Sequence, residues 1–408
     1  MTLTHVLKPA AAMSIASQAR QMVRSTQILL ALMAAFGLHA AHSACPDLHE
    51  SFDVQIPLAP SPIAIDGREW LIYELHITNF SRDVLRLREI DVLSGADSRL
   101  VHSYQGREEI GAQLGRPYLS SDVNDDVVPP GQQVILYVEV PEPSEHTMTS
   151  LMHRIAYATL DDKTTCSFTS SMIAVIAPRE LALGPPLHGG PWAAIYDWRW
   201  PRGHRRVFYT IGGRARLPGR FAIDWVKLDD AGHQARGDAD SVKNAFGYGA
   251  DVLAVADARV AEVRVGVKES ELISANPDHA LADAPGNYVA LDIGDGRFAI
   301  YEHLQPNSIR VSRGDHVHRG QVIASLGFTG DSTGPHLHFH VADTPFPLQG
   351  EGVPFVFEQF RLLGHYEDVA RLGSSKWDNR AERQSEIHSR ERPGPNAVIV
   401  FDAETSKH

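Results

Sequence analysis

The amino-acid sequence predicts an all-β chain in which one antiparallel sheet domain follows another. Three observations carry this. Apolar and polar residues alternate in run after run, as in Trp70–Ile77, Val134–Val140 and Asn287–Ile293, and a period of two is that of a strand with one buried face. Turn clusters such as Pro129-Pro130-Gly131 and Gly212-Gly213 separate the runs. The clearest alternation is His336-Leu-His-Phe-His-Val341. It sets three imidazoles on one face of a strand and Leu337, Phe339 and Val341 on the opposite, core-facing side.

The chain begins with Arg20 and Arg24 ahead of the apolar run Ile28–Leu38 and the small residues Ala40, Ala41, Ser43 and Ala44. A positive flank, a short apolar core and a small-residue exit describe a signal peptide over residues 1–44, so the mature chain is expected in a periplasmic or extracellular compartment. The apolar run is shorter than the ~20 residues of a membrane span, and no stable span is expected after cleavage. Its distance from Met1 makes Met13 or Met22 an alternative start. The two cysteines, Cys45 and Cys166, suit one disulfide in an exported chain. With 50 acidic against 38 basic residues and a formal net charge of −12, the composition argues against a nucleic-acid partner.

Residues 45–178 supply seven or so short strands, including Trp70–Ile77, Val84–Arg88, Val134–Val140, Ile155–Leu160 and Met172–Ile176. Their spacing favours an immunoglobulin-like sandwich, with no catalytic constellation in it. A Pro/Gly-rich entry from 178 to 191 leads into the second domain, expected over 179–365. There Arg206–Ile211 and Arg214–Leu217 flank Gly212-Gly213, which suits a two-residue hairpin turn. Strands around 219–226, 252–255, 259–265, 287–293, 297–301 and 354–357 complete it. Residues 366–408, polar and charged from 373 to 395, read as an extended tail.

The histidine ladder follows the turn Gly330-Asp-Ser-Thr-Gly-Pro335. Neutral imidazole is the commonest metal ligand, and catalytic zinc usually takes three protein ligands plus water. A lone histidine on a strand is ordinarily structural; three on one face behind a Gly-Pro turn form a candidate site.

An ordered set of motifs surrounds the ladder. Asp224 follows a strand; then come Gly286-Asn-Tyr-Val289, Tyr301-Glu-His-Leu304, the Val311–Val322 turn, Gly327-Phe-Thr-Gly330 and Gly334-Pro-His-Leu-His338. Over about residues 200–345 this order resembles the lysostaphin/LytM-type zinc metallopeptidases, which cut peptide cross-links of bacterial cell walls. The resemblance implies a LytM-type antiparallel β-sheet peptidase domain, a Zn2+ cofactor and a peptidoglycan peptide as substrate. It makes Asp224 and His338 metal ligands, and His303 and His336 the catalytic histidines, one taking a proton from water and the other bonding the developing oxyanion. Which does which stays open at this level.

One position departs from the pattern. The family's first ligand is a histidine four residues before the aspartate, where this chain has Arg220. An arginine stays protonated and cannot ligate zinc. Paired with Asp224, it would make the domain a degenerate one that binds cell wall or regulates another hydrolase. His204 offers a replacement, because a hairpin turning at Gly212-Gly213 would set residue 204 opposite about 221. His316 and His318 lie in a polar turn and are expected in solvent. His340 stands where the family usually has Glu or Gln, and Glu302 is expected on the strand face opposite to His303.

Overall fold

The computed structural model describes residues 50–116, 126–142, 148–177, 181–197, 200, 203–378 and 386–402. Residues 1–44, over which an export signal is expected, and Cys45 lie outside this set, while Cys166 is disulfide-bonded. No helix among the described residues is long and apolar enough to cross a membrane.

Two antiparallel sheets form the first region. β1 (Arg68–Asn79) lies in one, β2 (Leu85–Ser94) in the other. β3 (Gln133–Pro141) pairs with β1, and β4 (Ser150–Thr159) pairs with β2. Alternate residues of both sheets, among them Leu71, Leu75, Leu87, Ile90, Leu136 and Ile155, are withdrawn from solvent into one core. The all-β expectation follows directly from this alternation.

An eleven-stranded sheet forms the second region. Its principal strands are β5 (Gly189–Ile195), β6 (Ile223–Lys227), β7 (Ala258–Arg264), β8 (Asn287–Asp292), β9 (Phe298–Leu304), β10 (Leu337–Ala342), β11 (Val356–His365) and β12 (Ala397–Phe401). In space they run β11, β12, β5, β6, β10, β9, β8, β7. All seven of these ladders are antiparallel.

The tail expected over 366–408 is corrected by β12, which lies inside the sheet between β11 and β5. Polar composition from 373 to 395 masked a short apolar run, Ala397-Val-Ile-Val-Phe401, whose Val398 and Ile399 are fully buried. Ile387–Glu391 adds a further strand on β11. The boundary expected at 178 is likewise not a break in packing, since Ile63 and Ile65 belong to the same buried cluster as Trp225, Phe339 and Phe357. Replacing Ile399 by Ala should therefore destabilise the chain by roughly 2–5 kcal/mol, the range for truncating a fully buried aliphatic side chain. Chemical denaturation checks this; an unchanged midpoint would restore the extended tail.

Candidate metal centre

Three neighbouring strands assemble the site. β10 runs between β6 and β9, and its register sets His338 opposite Asp224 on one side and Glu302 on the other. Leu337, Phe339 and Val341 fill the core side of β10 and are fully buried. The ladder face carries His338 and His340, with ring centroids 5.2 Å apart. His336 precedes the strand. Its Nδ1 lies 2.8 Å from the Gly334 carbonyl oxygen and its Nε2 3.3 Å from Asp224 Oδ1.

His303 joins the cluster through a break in strand geometry. Tyr301 is buried against Phe339 on the core side, so Glu302 faces the imidazoles and a regular strand would return His303 to the core. Residue 303 instead has φ of 60°, the left-handed region that non-glycine residues rarely enter. The pairing of β8 with β9 also slips between Asn287 and Val289. The His303 ring ends 4.8 Å from that of His336 and 6.0 Å from that of His338. Its Nδ1 lies 2.8 Å from the Thr329 carbonyl oxygen. Thr329 is itself fully buried, its hydroxyl donating to the Leu304 carbonyl at 2.9 Å.

Glu302 is the residue that sequence reasoning set aside. Its Oε1 is 3.5 Å from His338 Nε2 and 3.3 Å from His340 Nδ1. The signal was available: Tyr301 is the apolar member of the alternation, and its neighbour Glu302 had to face the ladder. The expectation that Glu302 lies on the face away from His303 is corrected: both meet the histidine cluster, because His303 leaves regular strand geometry at φ of 60°.

His204 reaches Asp224, but not by the expected cross-strand pairing. The hairpin is only Tyr209–Ile211 against Arg214–Arg216. His204 begins a single 3-10 turn, His204–Arg206, next to a second one, Pro218–Phe221. Gly219 permits their contact, because a Cβ there would stand 2.8 Å from the His204 carbonyl oxygen. In this arrangement His204 Nε2 lies 2.8 Å from Asp224 Oδ2, while His338 Nδ1 lies 2.8 Å from Asp224 Oδ1. The alternative in which Arg220 pairs with Asp224 is corrected as well. Arg220 is buried, with Nε donating to Glu74 Oε2 at 2.7 Å and Nη2 to Glu351 Oε2 at 3.0 Å. His316 and His318 are exposed.

Charge separates the candidate donor sets. Burial raises the Asp224 carboxyl, yet the charges of His204 and His336 and their hydrogen bonds outweigh it and hold the group well below the usual carboxylate range. Burial, with the Asp224 charge, pushes Glu302 well above that range. Burial, then His336 and His338, push His303 well below the ordinary histidine value. For His336, burial is overcome by Asp224 and the net shift is upward.

Among the described residues, three groups bring one donor atom per residue within 4.8 Å of one another: His204/Asp224/His338, His303/His336/His338 and Glu302/His338/His340. A cation favours a set holding an ionised carboxylate with an opening to solvent. Only the first set has both, since the side chains of His204 and Asp224 retain 30% and 19% of their exposure. Its two imidazole nitrogens and one carboxylate are a donor set suited to zinc. Its donor atoms lie within 4.8 Å of one another, and the 2.8 Å contacts would open toward the ~3.4 Å separation of donors on a tetrahedral ion with bonds of ~2.1 Å, so the residues present fit such an ion with that adjustment.

Residues 239–349 match the model of Peptidase family M23. The match contains Glu302, His303, His336 and His338, and begins after His204 and Asp224. Over 56 residues the chain is 45% identical to the peptidoglycan DD-endopeptidase ShyA of Vibrio cholerae serotype O1 and 46% identical to ShyB of the same organism. Each alignment covers 14% of this chain and 13% of the relative's length. Among solved structures, the catalytic domain of lysostaphin from Staphylococcus simulans aligns at 22% identity and a TM-score of 0.19, covering 38% of this chain and 80% of that one. A zinc-containing peptidase from Vibrio cholerae aligns at 16% identity and a TM-score of 0.25, covering 76% and 88%.

Proposed function

We propose that this chain, which carries an M23 peptidase domain of the LytM type over residues 239–349, is a zinc-dependent endopeptidase that hydrolyses peptide cross-links of peptidoglycan. The observation that carries this reading is one aspartate held by two imidazoles on its two oxygens, with two further imidazoles beside it. His204, Asp224 and His338 would hold the ion. When bound, zinc supplies Lewis acidity and a water acidified to a pKa of ~7.

The flanking histidines divide the proton work. His303 is held neutral, and its Nδ1–H is committed to the Thr329 carbonyl. Its Nε2 therefore keeps a lone pair and can accept the proton of the attacking water. His336 donates Nδ1–H to the Gly334 carbonyl, with Nε2 beside Asp224. An Nε2–H there can bond the developing oxyanion and deliver a proton to the leaving amine. On this reading His303 is the base and His336 the donor.

The regulatory reading rested on Arg220 disabling Asp224. It loses that support because Arg220 is bonded to Glu74 and Glu351 instead. A wall substrate fits the export signal read over residues 1–44, and we place the mature chain outside the cytoplasm on that ground. The test is metal removal. Purified protein is expected to carry one zinc per chain, to lose cleavage of isolated peptidoglycan on chelation and to regain it with zinc. Zinc-free protein that cleaves equally well would overturn the assignment.

A further inference from the structure

We propose that the first β-region positions His204 for the metal, with Glu74 acting as the positioning residue through Arg205 and Arg220. The inference rests on the metal reading above and adds where the first donor obtains its geometry.

The residue after His204 is tied entirely to strands β1 and β3. Arg205 is 4% exposed; its Nε donates to Glu74 Oε1 and its Nη1 to Glu139 Oε1, both at 2.8 Å. Its Nη2 donates to the carbonyls of Tyr73 and Val138 at 2.9 and 3.0 Å. Tyr73 and Val138 are direct partners in the β1–β3 register, so the guanidinium spans a rigid ladder. Arg206 adds Nη contacts to the Leu114 and Ala112 carbonyls at 3.3 and 3.2 Å and lies 4.6 Å over the Tyr137 ring.

The second oxygen of Glu74 holds the other turn, through the 2.7 Å bond from Arg220 Nε. One carboxylate thus grips the residue after His204 and the residue four before Asp224. Arg220 is further fixed by Glu351 and by the Gly352 carbonyl at 3.1 Å. Burial lifts the Glu74 carboxyl, but the two guanidinia outweigh it, and the group is ionised at neutral pH.

Buried ion pairs are weak sources of net stability, because desolvation offsets their attraction; fixing one geometry is a better-attested use. Here the geometry fixed is that of two 3-10 turns in contact at Gly219. His204 sits on a short turn outside any strand ladder, so without the clamp nothing in the sheet register would hold its imidazole at Asp224. Groups that orient a ligand typically account for 10–100-fold in metal affinity.

The experiment is a zinc titration against a competing chelator on the full chain, comparing wild type with Glu74→Gln, Glu139→Gln and Ile155→Ala. Ile155 is fully buried in the same β-region but lies on β4, in the other sheet, and controls for general loss of stability. Glu74→Gln should weaken zinc by about 10–100-fold, Glu139→Gln by less, and folded Ile155→Ala should bind as wild type does. The visible spectrum of the cobalt-loaded protein should shift in Glu74→Gln as His204 leaves the ion. Wild-type affinity in Glu74→Gln, or an equal loss in Ile155→Ala, would overturn the proposal and leave the metal reading standing. Should Glu74→Gln fail to fold, Glu139→Gln decides by the same comparison. A wild-type chain that takes up no zinc would remove both readings together.

Discussion

Asp224→Asn is expected to empty the proposed metal centre and lower kcat/KM for the proposed cross-link cleavage by roughly 10³-fold or more, the equivalent of several kcal/mol of lost charge stabilisation. The substitution preserves shape and removes charge. Asp224 is the ionised carboxylate of the set; its two oxygens contact His204 and His338, and Oδ1 also neighbours His336. Among the other acidic groups, Glu302 cannot readily replace it, because burial holds that carboxyl well above the usual range. Metal analysis and kinetics should move together. Full zinc content with wild-type kinetics in Asp224→Asn would show that the ion sits in another of the three donor groups.

His303→Ala is expected to lower kcat by about 10²–10⁴-fold, the usual contribution of a positioned general base, while zinc content stays at the wild-type level. The separation of the two readouts is the point. His303 is held by the Thr329 carbonyl through Nδ1 and is placed beside His336, not against Asp224. If His303→Ala loses its zinc instead, the group His303/His336/His338 is the true metal set and the role of His204 falls. Supplied imidazole should restore part of the activity of His303→Ala when the cavity left by the ring admits it.

Some of this site was readable from local pattern. Strict two-residue alternation put His336, His338 and His340 apart from Leu337, Phe339 and Val341, and the latter three are fully buried. The motif order from Asp224 to His338 led to the peptidase resemblance, and residues 239–349 match that family. The geometry around His204 was not readable. Pro218 and Gly219 end the hairpin in a 3-10 turn, a local event that a projected register between 204 and 221 could not include. The role of β12 was hidden for a similar reason: a five-residue apolar run inside a polar stretch gains burial only when β11 and β5 lie on both sides of it.

The sequence by itself determined the strand character of runs such as Trp70–Ile77, Val134–Val140 and Asn287–Ile293, which face of β10 is apolar and which residue types can carry metal and proton chemistry. All of these depend on periodicity within a few neighbouring residues. The tertiary structure alone decided that Arg220 turns away to Glu74, that His204 and Asp224 meet across a separation of 20 residues, and that His303 leaves its strand face at φ of 60°. Those outcomes follow from which buried charges must be paired and which turns can nest, conditions set between distant segments and invisible along the chain.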